Sequence, residues 1–372
     1  MSKIKFVSSW DNFDKATWSG TPYGIYQALS KKADVELVDA SVKSKNSTLQ
    51  SIKTKIEELN ANIKVLKIGI EKLNQLNIED QSEPMLVFSE YNSKNAKSMY
   101  CYQDLSVDFL IRSGRLSKKG ILSPILNKSY KRKNKIALDF YKSCAGIFTM
   151  SEWLREDLIK NTRLPEDKVH AVGGGCNIDV TKIDYSKKQG NKFIFVGVNW
   201  KRKNGDLVVR AFEKLQKIYP ALELYIVGPK SKPAIPENKN IHFLGNLSFE
   251  KLHEYYNLCD YFVMPSEFEA YGLVFAEALC FGLPCIGKNH YAMPEFIKNG
   301  ENGYLINESS EMELLEKMKL LYENRRAISS NVQSKKDYYI QKYSWGTVAD
   351  RILKVMKKDG FTVPTKPIES YK

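Results

Sequence analysis

Residues 265–305 read PSEFEAYGLVFAEALCFGLPCIGKNHYAMPEFIKNGENGYL, and this stretch decides the fold class. The apolar run Asp260–Pro265 leads into it and predicts a buried strand. Leu273–Phe281 predicts a short apolar helix. Gly282 and Pro284 should end this helix, because glycine tolerates a positive φ and proline cannot continue a helix. A buried strand, a loop and a helix in succession are the repeating unit of an open α/β sheet.

Two glutamates, Glu269 and Glu277, flank the start of this helix with seven residues between them. The loop that carries Glu269 follows the carboxyl end of a strand, where open α/β sheets bind their ligands. The first helical amides, near Gly272 and Leu273, should attract an anion such as a diphosphate. Glu269 could accept hydrogen bonds from sugar hydroxyls before the helix, and Glu277, about two turns after Glu269, could accept them from a ribose diol.

The order of these residues resembles the Glu-x7-Glu signature of retaining glycosyltransferases of the GT-B fold, in particular glycosyltransferase family 4, which uses nucleotide sugars. Ala270 and Ala292 stand where the family usually has glycine, and both are still small. The rest of the family pattern is met in order by Pro265, Ser266, Glu269, Tyr271, Gly272, Glu277, Ala278, Gly282, Pro284, Pro294, Glu295, Asn302, Gly303 and Leu305.

The resemblance implies two Rossmann-like, doubly wound domains that face each other across a cleft. We expect an acceptor-side domain over residues 1–185 and a nucleotide-sugar-binding domain over 191–345. Residues 346–372 should form a helix that crosses back to the first domain, and a tail. Strands that alternate with helices in both halves favour the same α/β architecture.

The resemblance also implies an activity, the transfer of a sugar from a nucleotide-diphosphate donor to a glycan or lipid-linked glycan with retention of configuration. Glu269 and the amides near Tyr271 and Gly272 would hold the sugar, and Glu277 the ribose. Retention in this family is pictured as attack on the face that the leaving group departs, so no protein nucleophile is needed. The sequence has no Asp-x-Asp motif and its four histidines are scattered, so we expect no metal or other cofactor.

A second ligand loop is predicted after the strand Phe193–Val198, in the run that starts with Gly197. The family commonly has Gly-Arg here and a Lys five residues after the Arg, and both grip the diphosphate. Lys203 occupies the Lys position, but Val198 replaces the Arg, and Arg202 is the residue that would supply the missing contact. A cation here stabilises the extra negative charge of the departing nucleoside diphosphate.

Two more strands, Leu224–Gly228 and Ile241–Gly245, are predicted in the same domain. Asn246 and Leu247 follow the second of them and could hold the nucleotide base through backbone groups. Such contacts carry no side-chain signature, so the sequence does not identify the base.

The first half of the chain carries weaker site signals. A turn of small residues follows the first strand, Lys3–Ser8, and makes Gly20 and Thr21 candidates for contact with the donor phosphates or the acceptor. Asp104 follows the predicted strand Met99–Tyr102. The family often has a His or Asp that faces the sugar at this place, and Asp104 is the residue of this chain that could take that role. The alternative is that Asp104 is a helix N-cap or a turn residue.

Residues 47–77 hold a heptad pattern that nothing in the resemblance requires. Positions a are mainly Ile, and positions d are Ile52, Leu59, Leu66 and Leu73. This choice favours a parallel two-stranded coiled coil and hence a homodimer. An amphipathic helix packed on its own domain and a membrane-surface helix are the alternatives.

The composition of the chain limits its size class, its partners and the state of its cysteines. The 372 residues suffice for two domains, and 43% hydrophobic with 27% charged residues describe a globular protein. A formal net charge of +14 should attract anions. Charge alone does not choose among nucleic acid, an anionic membrane and a phosphorylated lipid acceptor. The resemblance favours a sugar acceptor, so we expect no nucleic-acid partner. The six cysteines form no CxxC pair and should be reduced core residues.

The start MSKIKFV does not predict a signal peptide, and no apolar run approaches the ~18 residues of a membrane span. We therefore expect a cytoplasmic protein. The basic run Lys118–Lys142 predicts a solvated face, or a peripheral contact with the inner face of an anionic membrane. Two other functions stay open, a noncatalytic GT-B scaffold subunit and a nucleotide-sugar hydrolase or phosphorylase on the same fold.

Overall fold

The computed structural model describes residues 3–8, 17–39, 83–88, 96–116 and 123–362. Its chain divides into two compact units, one of residues 1–173 together with 348–372 and the other of residues 174–347. Each unit is built on a six-stranded sheet in which all paired strands are parallel.

The first sheet has the strand order β2-β1-β3-β4-β5-β6. Its central strands are buried along their whole length, which agrees with the continuous apolar runs typical of parallel sheets. The strands are β1 (Ile4–Ser8), β2 (Val35–Asp39), β3 (Met85–Val87), β4 (Met99–Gln103), β5 (Gly146–Thr149) and β6 (Val169–Ala171). The helices of this part of the chain are α1 (Thr21–Lys32), α2 (Val107–Arg112), α3 (Ser123–Ser143) and α4 (Glu152–Thr162).

Side-chain caps explain where two of these helices begin. The Ser106 hydroxyl accepts the Phe109 amide at 3.1 Å at the start of α2. The Ser151 hydroxyl accepts the Leu154 amide at 3.1 Å at the start of α4. Each hydroxyl satisfies an amide that the helix itself cannot pair.

The second sheet has the strand order β12-β11-β10-β7-β8-β9. Its strands are β7 (Lys192–Val196), β8 (Glu223–Val227), β9 (Ile241–Gly245), β10 (Tyr261–Val263), β11 (Cys285–Lys288) and β12 (Gly303–Ile306). The helices that follow in the chain are α5 (Gly205–Ile218), α6 (Phe249–Leu258), α7 (Leu273–Cys280), α8 (Met293–Phe296), α9 (Glu311–Glu323), α10 (Arg325–Ser334), α11 (Lys336–Lys342) and α12 (Trp345–Lys358).

Each strand order reverses once, and this reversal makes each sheet doubly wound. The first chain half winds outward from β1 to β2 and then returns to β3, on the other side of β1. The second half winds from β7 to β9 and returns to β10, on the other side of β7. Right-handed crossovers therefore place helices on opposite faces before and after the reversal. The predicted pair of doubly wound α/β domains is confirmed.

Two predicted helices are not confirmed as such by the structure. The sequence of residues 326–341 predicts one helix, but the structure has α10 and α11 with a break at Lys335. Lys335 has the φ of −94° and ψ of 16° that end one helix and begin the next, a change that the apolar periodicity does not signal. The predicted heptad helix at 47–77 lies outside the described residues, and the coiled coil stays a prediction.

Candidate functional site

The strand reversal between β7 and β10 selects the site in the second unit. Ligands of open α/β sheets bind outside the carboxyl ends of the strands at such a reversal. The loop after β7 contains Gly197, Arg202 and Lys203, and the loop after β10 contains Glu269. Topology alone therefore brings the two predicted ligand loops to one place on the sheet edge.

Glu269 is the centre of this cluster. Its carboxylate Oε1 lies 3.0 Å from an Arg202 guanidinium nitrogen and 3.1 Å from Lys203 Nζ. The Glu269 and Lys203 side chains are 9% and 10% exposed, while that of Arg202 is 37% exposed. Arg202 also donates to the Phe268 carbonyl oxygen. Two cations and one carboxylate thus occupy a largely desolvated spot, where charge interactions are stronger than in water.

Lys203 reaches this spot because residue 197 has no side chain. A Cβ atom built on Gly197 would lie 2.0 Å from Lys203 Cδ, well inside van der Waals contact. The Lys203 Nζ also lies 3.0 Å from Met264 Sδ, just after β10. Gly197, predicted as a donor contact, therefore provides the space through which the lysine stem passes.

Glu277 is the second acid of the pair, and it is 3% exposed on α7. The Tyr256 hydroxyl donates to its Oε2 at 3.2 Å, and the Asn177 amide also donates to the carboxylate. Burial raises the pKa of Glu277 from 4.5 to about 7, although these two hydrogen bonds and the nearby Lys203 charge favour the ionised form. Lys203 therefore acts on both acids, by a salt bridge to Glu269 and by its charge on Glu277.

The start of α7 has the form that the sequence predicted. Gly272 is the N-cap with φ 95° and ψ 61°, a left-handed conformation that favours glycine. Gly272 and Leu273 are half-buried, so the first amides of the helix lie near the surface. The Tyr271 side chain is occupied by packing, because its hydroxyl donates to the Gly174 carbonyl at 3.3 Å and its ring meets Phe296 edge-on. A donor contact at residue 271 would come from its backbone.

A second charged group next to this cluster was not predicted from the sequence. Lys288 ends β11, and its Nζ lies 2.8 Å from Glu267 Oε2 and 2.7 Å from Ser309 Oγ. Asn204 Nδ2 lies 2.8 Å from Glu267 Oε1. The signal that could have found it is the lysine itself, since a charged residue at the end of an otherwise apolar strand needs a partner.

The segment that carries this cluster is similar to a known family. Residues 181–343 match the family glycosyl transferases group 1. The group 1 segment thus contains the loops after β7 and β10 and both glutamates. An uncharacterized glycosyltransferase of Methanocaldococcus jannaschii is 28% identical over 244 residues, which are 59% of this chain and 61% of that protein. This chain covers 61% and 25% of the first two curated relatives that it matches.

Two solved structures share the fold. WaaG, a glycosyltransferase involved in lipopolysaccharide biosynthesis, superposes with a TM-score of 0.64 at 16% identity, over 95% of this chain and 99% of that one. The pneumococcal O-GlcNAc transferase GtfA, solved with UDP and GlcNAc, gives a TM-score of 0.56 at 17% identity, over 79% of this chain and 60% of that one. At these identities the likeness shows the GT-B fold, and together with the group 1 match it supports a GT-B glycosyltransferase.

Other candidate residues of the group 1 segment lie apart from this cluster. Asn246 and Leu247 follow β9, an edge strand separated from β7 by β8, and Asn246 is exposed. Val198, in place of the family arginine, is 62% exposed. The roles of these residues stay predictions.

Three candidates belong to the first unit. Gly20 is the N-cap of α1 with φ 82°, and Thr21 is buried at the first helical position. Trp18 and Ser19 before them also have positive φ values of 49° and 54°, so the turn is left-handed over three residues. Asp104 directly follows β4 and is half-buried.

The described residues contain neither a candidate metal centre nor a candidate membrane-spanning helix. That part of the chain has no group of three or more His, Cys, Asp or Glu side chains arranged to hold a metal ion. Within the same residues, no helix combines the length and the apolar character needed to cross a bilayer. Five of the six cysteines are buried, and Cys176 is half-buried.

Proposed function

We propose that this protein is a retaining glycosyltransferase that moves a sugar from a nucleoside-diphosphate donor to a hydroxyl of a glycan or lipid-linked glycan. The observation that carries the proposal is the contact of Arg202 and Lys203 with Glu269 at the strand reversal, with Glu277 close enough to Lys203 to sense its charge.

Each residue of the cluster has a chemical task in this reaction. Arg202 and Lys203 would bind the diphosphate, whose negative charge grows as the bond to the sugar breaks. Cations fixed beforehand stabilise that charge without reorganising during the step. Glu269 would orient the sugar through its hydroxyls, because an ionised carboxylate accepts hydrogen bonds and does not donate them. Glu277 would bind the ribose diol in the same way.

Retention of configuration follows in this proposal from attack on the face that the leaving diphosphate departs. A phosphate oxygen would help to accept the proton of the attacking hydroxyl, so no protein nucleophile and no metal is assigned. Asp104, Gly20 and Thr21 are proposed contacts of the first unit with the acceptor or the donor sugar. They follow strands β4 and β1, at the carboxyl-terminal side of the first sheet.

The relatives support this class of reaction. The named glycosyltransferase relative and the group 1 match support sugar transfer, and the UDP and GlcNAc bound in the GtfA structure support a nucleotide-sugar donor. WaaG acts in lipopolysaccharide synthesis, which fits a role for this protein in cell-surface glycan synthesis. The basic helix α3, with Lys128, Lys131 and Arg132, would suit an anionic membrane surface on which a lipid-linked acceptor is presented.

Donor screening tests the proposal. UDP-, GDP- and ADP-sugars are screened by thermal shift, and the donor that stabilises the protein is incubated with and without candidate acceptor glycans. NMR of the product then gives the anomeric configuration. Transfer with retention supports the proposal, and free sugar formed at the same rate with and without acceptor indicates a hydrolase. If no nucleotide sugar binds, the alternative of a noncatalytic scaffold is correct.

A further inference from the structure

Four chain segments meet around Glu267, two residues before Glu269. Lys288 Nζ lies 2.8 Å from Glu267 Oε2, and Asn204 Nδ2 lies 2.8 Å from Glu267 Oε1. Ser309, in the loop after β12, donates to Glu267 Oε1 and accepts from Lys288 at 2.7 Å. We call Glu267, Lys288, Asn204 and Ser309 the clasp, because they join the ends of three strands to the start of α5.

The clasp contains a buried cation, Lys288, whose charge is balanced by Glu267. The Lys288 side chain is 10% exposed and that of Glu267 is 42% exposed. Burial alone would raise the pKa of Glu267, but the hydrogen bonds from Lys288, Ser309 and Asn204 outweigh it and lower that pKa to about 2. The carboxylate therefore stays ionised, and the clasp stays closed, throughout the physiological pH range.

The clasp is attached directly to the turn that carries Arg202 and Lys203. Asn204 is the N-cap of α5 with a left-handed φ of 57°, and its Nδ2 also donates to the Pro265 carbonyl at 2.8 Å. The Arg202 carbonyl accepts the Glu267 amide at 2.9 Å. It also accepts the Ser266 hydroxyl at 3.2 Å. The backbone on both sides of Lys203 is thus fixed to the loop that contains Glu269.

We propose that Glu267, Lys288 and Asn204 are positioning residues, which hold Arg202 and Lys203 at the separation from Glu269 that a nucleoside diphosphate requires. This inference rests on the proposed function, since it assigns the diphosphate to the two cations. The clasp residues act on the ligand through the turn. An arginine at 198 would have carried its own contact, whereas Arg202 must be held in place by its backbone, and the clasp does so.

Two variants open the clasp in different ways. Asn204→Gly removes the side-chain links to Pro265 and Glu267 and leaves a residue that tolerates the left-handed φ. Lys288→Met removes the buried cation and keeps an unbranched stem of similar length. The matched control is Lys192→Met. Lys192 is also a buried lysine, 3.7 Å from Glu223, but it begins the central strand β7 and so lies at the end of that strand opposite to the cluster.

The measurement is calorimetric binding of UDP, GDP and ADP and of the corresponding nucleosides. With the base that the wild type binds, we expect Asn204→Gly and Lys288→Met to weaken nucleoside diphosphate binding at least tenfold. Nucleoside binding should change by less than twofold, because the nucleoside carries no group for the cations. Lys192→Met should leave both affinities unchanged, and thermal melts report the stability of all three proteins.

The outcomes distinguish a role of the clasp in positioning the two cations from a role in stabilising the domain. Equal loss of nucleoside and diphosphate affinity, or a loss in Lys192→Met that matches the clasp variants, would reduce the clasp to a stabilising contact and overturn the inference. Wild-type diphosphate affinity in both clasp variants would overturn it as well while leaving the proposed function intact. A wild type that binds none of the three diphosphates would overturn the proposed function and this inference with it.

Discussion

The protonation of Glu277 offers the sharpest test of the site, and Glu277→Gln is the variant that isolates it. Burial raises the pKa of this carboxyl from 4.5 to about 7 in the folded protein. Between those two pH values the folded protein holds a proton that the unfolded chain has lost. The contribution of Glu277 to the free energy of unfolding therefore falls as pH rises from 4.5 to 7 and is constant beyond that range. At about 1.4 kcal/mol per pH unit, the fall is about 3 kcal/mol.

Glutamine keeps the shape of the side chain but cannot ionise. Whatever constant difference separates the two proteins at pH 4.5, Glu277→Gln should gain about 3 kcal/mol relative to the wild type by pH 7.5. For a domain of this size each kcal/mol moves the melting temperature by about 2–4 °C, so the gain corresponds to roughly 6–12 °C. Parallel melting curves at half-unit pH intervals measure it. A difference in melting temperature that does not change with pH would show that Glu277 is not buried as an acid.

The same titration should govern nucleotide binding. The proposed ribose contact needs the carboxylate, so the affinity of the wild type for the nucleoside diphosphate should rise up to tenfold per pH unit between pH 5 and 7 and then level off. Glu277→Gln shares the ionisation of the ligand phosphates but lacks this titration, so the ratio of the two affinities reports residue 277 alone. A ratio that is constant from pH 5 to 8 would refute the ribose assignment.

Three further predictions concern other parts of the chain. Lys203→Met should lower kcat about a hundredfold in steady-state assays, because it removes one of two cations beside the leaving group; a wild-type kcat would exclude Lys203 from the reaction. Gly197→Ala places a Cβ 2.0 Å from the unsubstituted lysine stem, so its activity should fall as far as that of Lys203→Met while the circular dichroism spectrum stays unchanged; full activity would show that the stem can move. If the heptad segment dimerises the protein, Ile63→Lys should convert a dimer to a monomer in analytical sedimentation, and an unchanged mass would reject that role.

Four strands of the second sheet, β7 to β10, could be predicted to within a few residues because they are short apolar runs followed by glycine or proline, whereas β11 and β12 were not predicted. The predicted strand Ile241–Gly245 is β9 without change. Strand order was harder, since parallel pairing joins segments distant in sequence, such as Tyr261 opposite Phe193. The α/β class predicts parallel strands joined by helices, but it does not give the order of the strands in the sheet. The reversal of strand order between β7 and β10 is seen only in the structure.

Part of the candidate site could likewise be predicted from the sequence and part could not. The Glu-x7-Glu pattern and the lysine turn could be predicted because each is a local pattern in the segment that follows a single strand. The partners of Lys288 could not, because Glu267 and Ser309 are each 21 positions away from it in the chain. The raised pKa of Glu277 was also beyond the sequence, since it depends on complete burial beside Tyr256. Pairwise contacts across a sheet edge leave no spacing pattern in the chain.

The departure at Val198 and the clasp are two parts of one arrangement. The Val198 side chain is 62% exposed and carries no charge, so in the proposed site the cations of this loop are Arg202 and Lys203. Arg202 lies within the turn formed by residues 200–204, where the direction of a side chain depends on how the turn is anchored. The Arg202 carbonyl is held by Ser266 and Glu267, and its guanidinium by Glu269. The acidic loop therefore both receives the charge of the turn and fixes its backbone. Loss of the carboxylate at Glu267 should therefore destabilise the domain as well as release the turn, because Lys288 would be left buried without its partner.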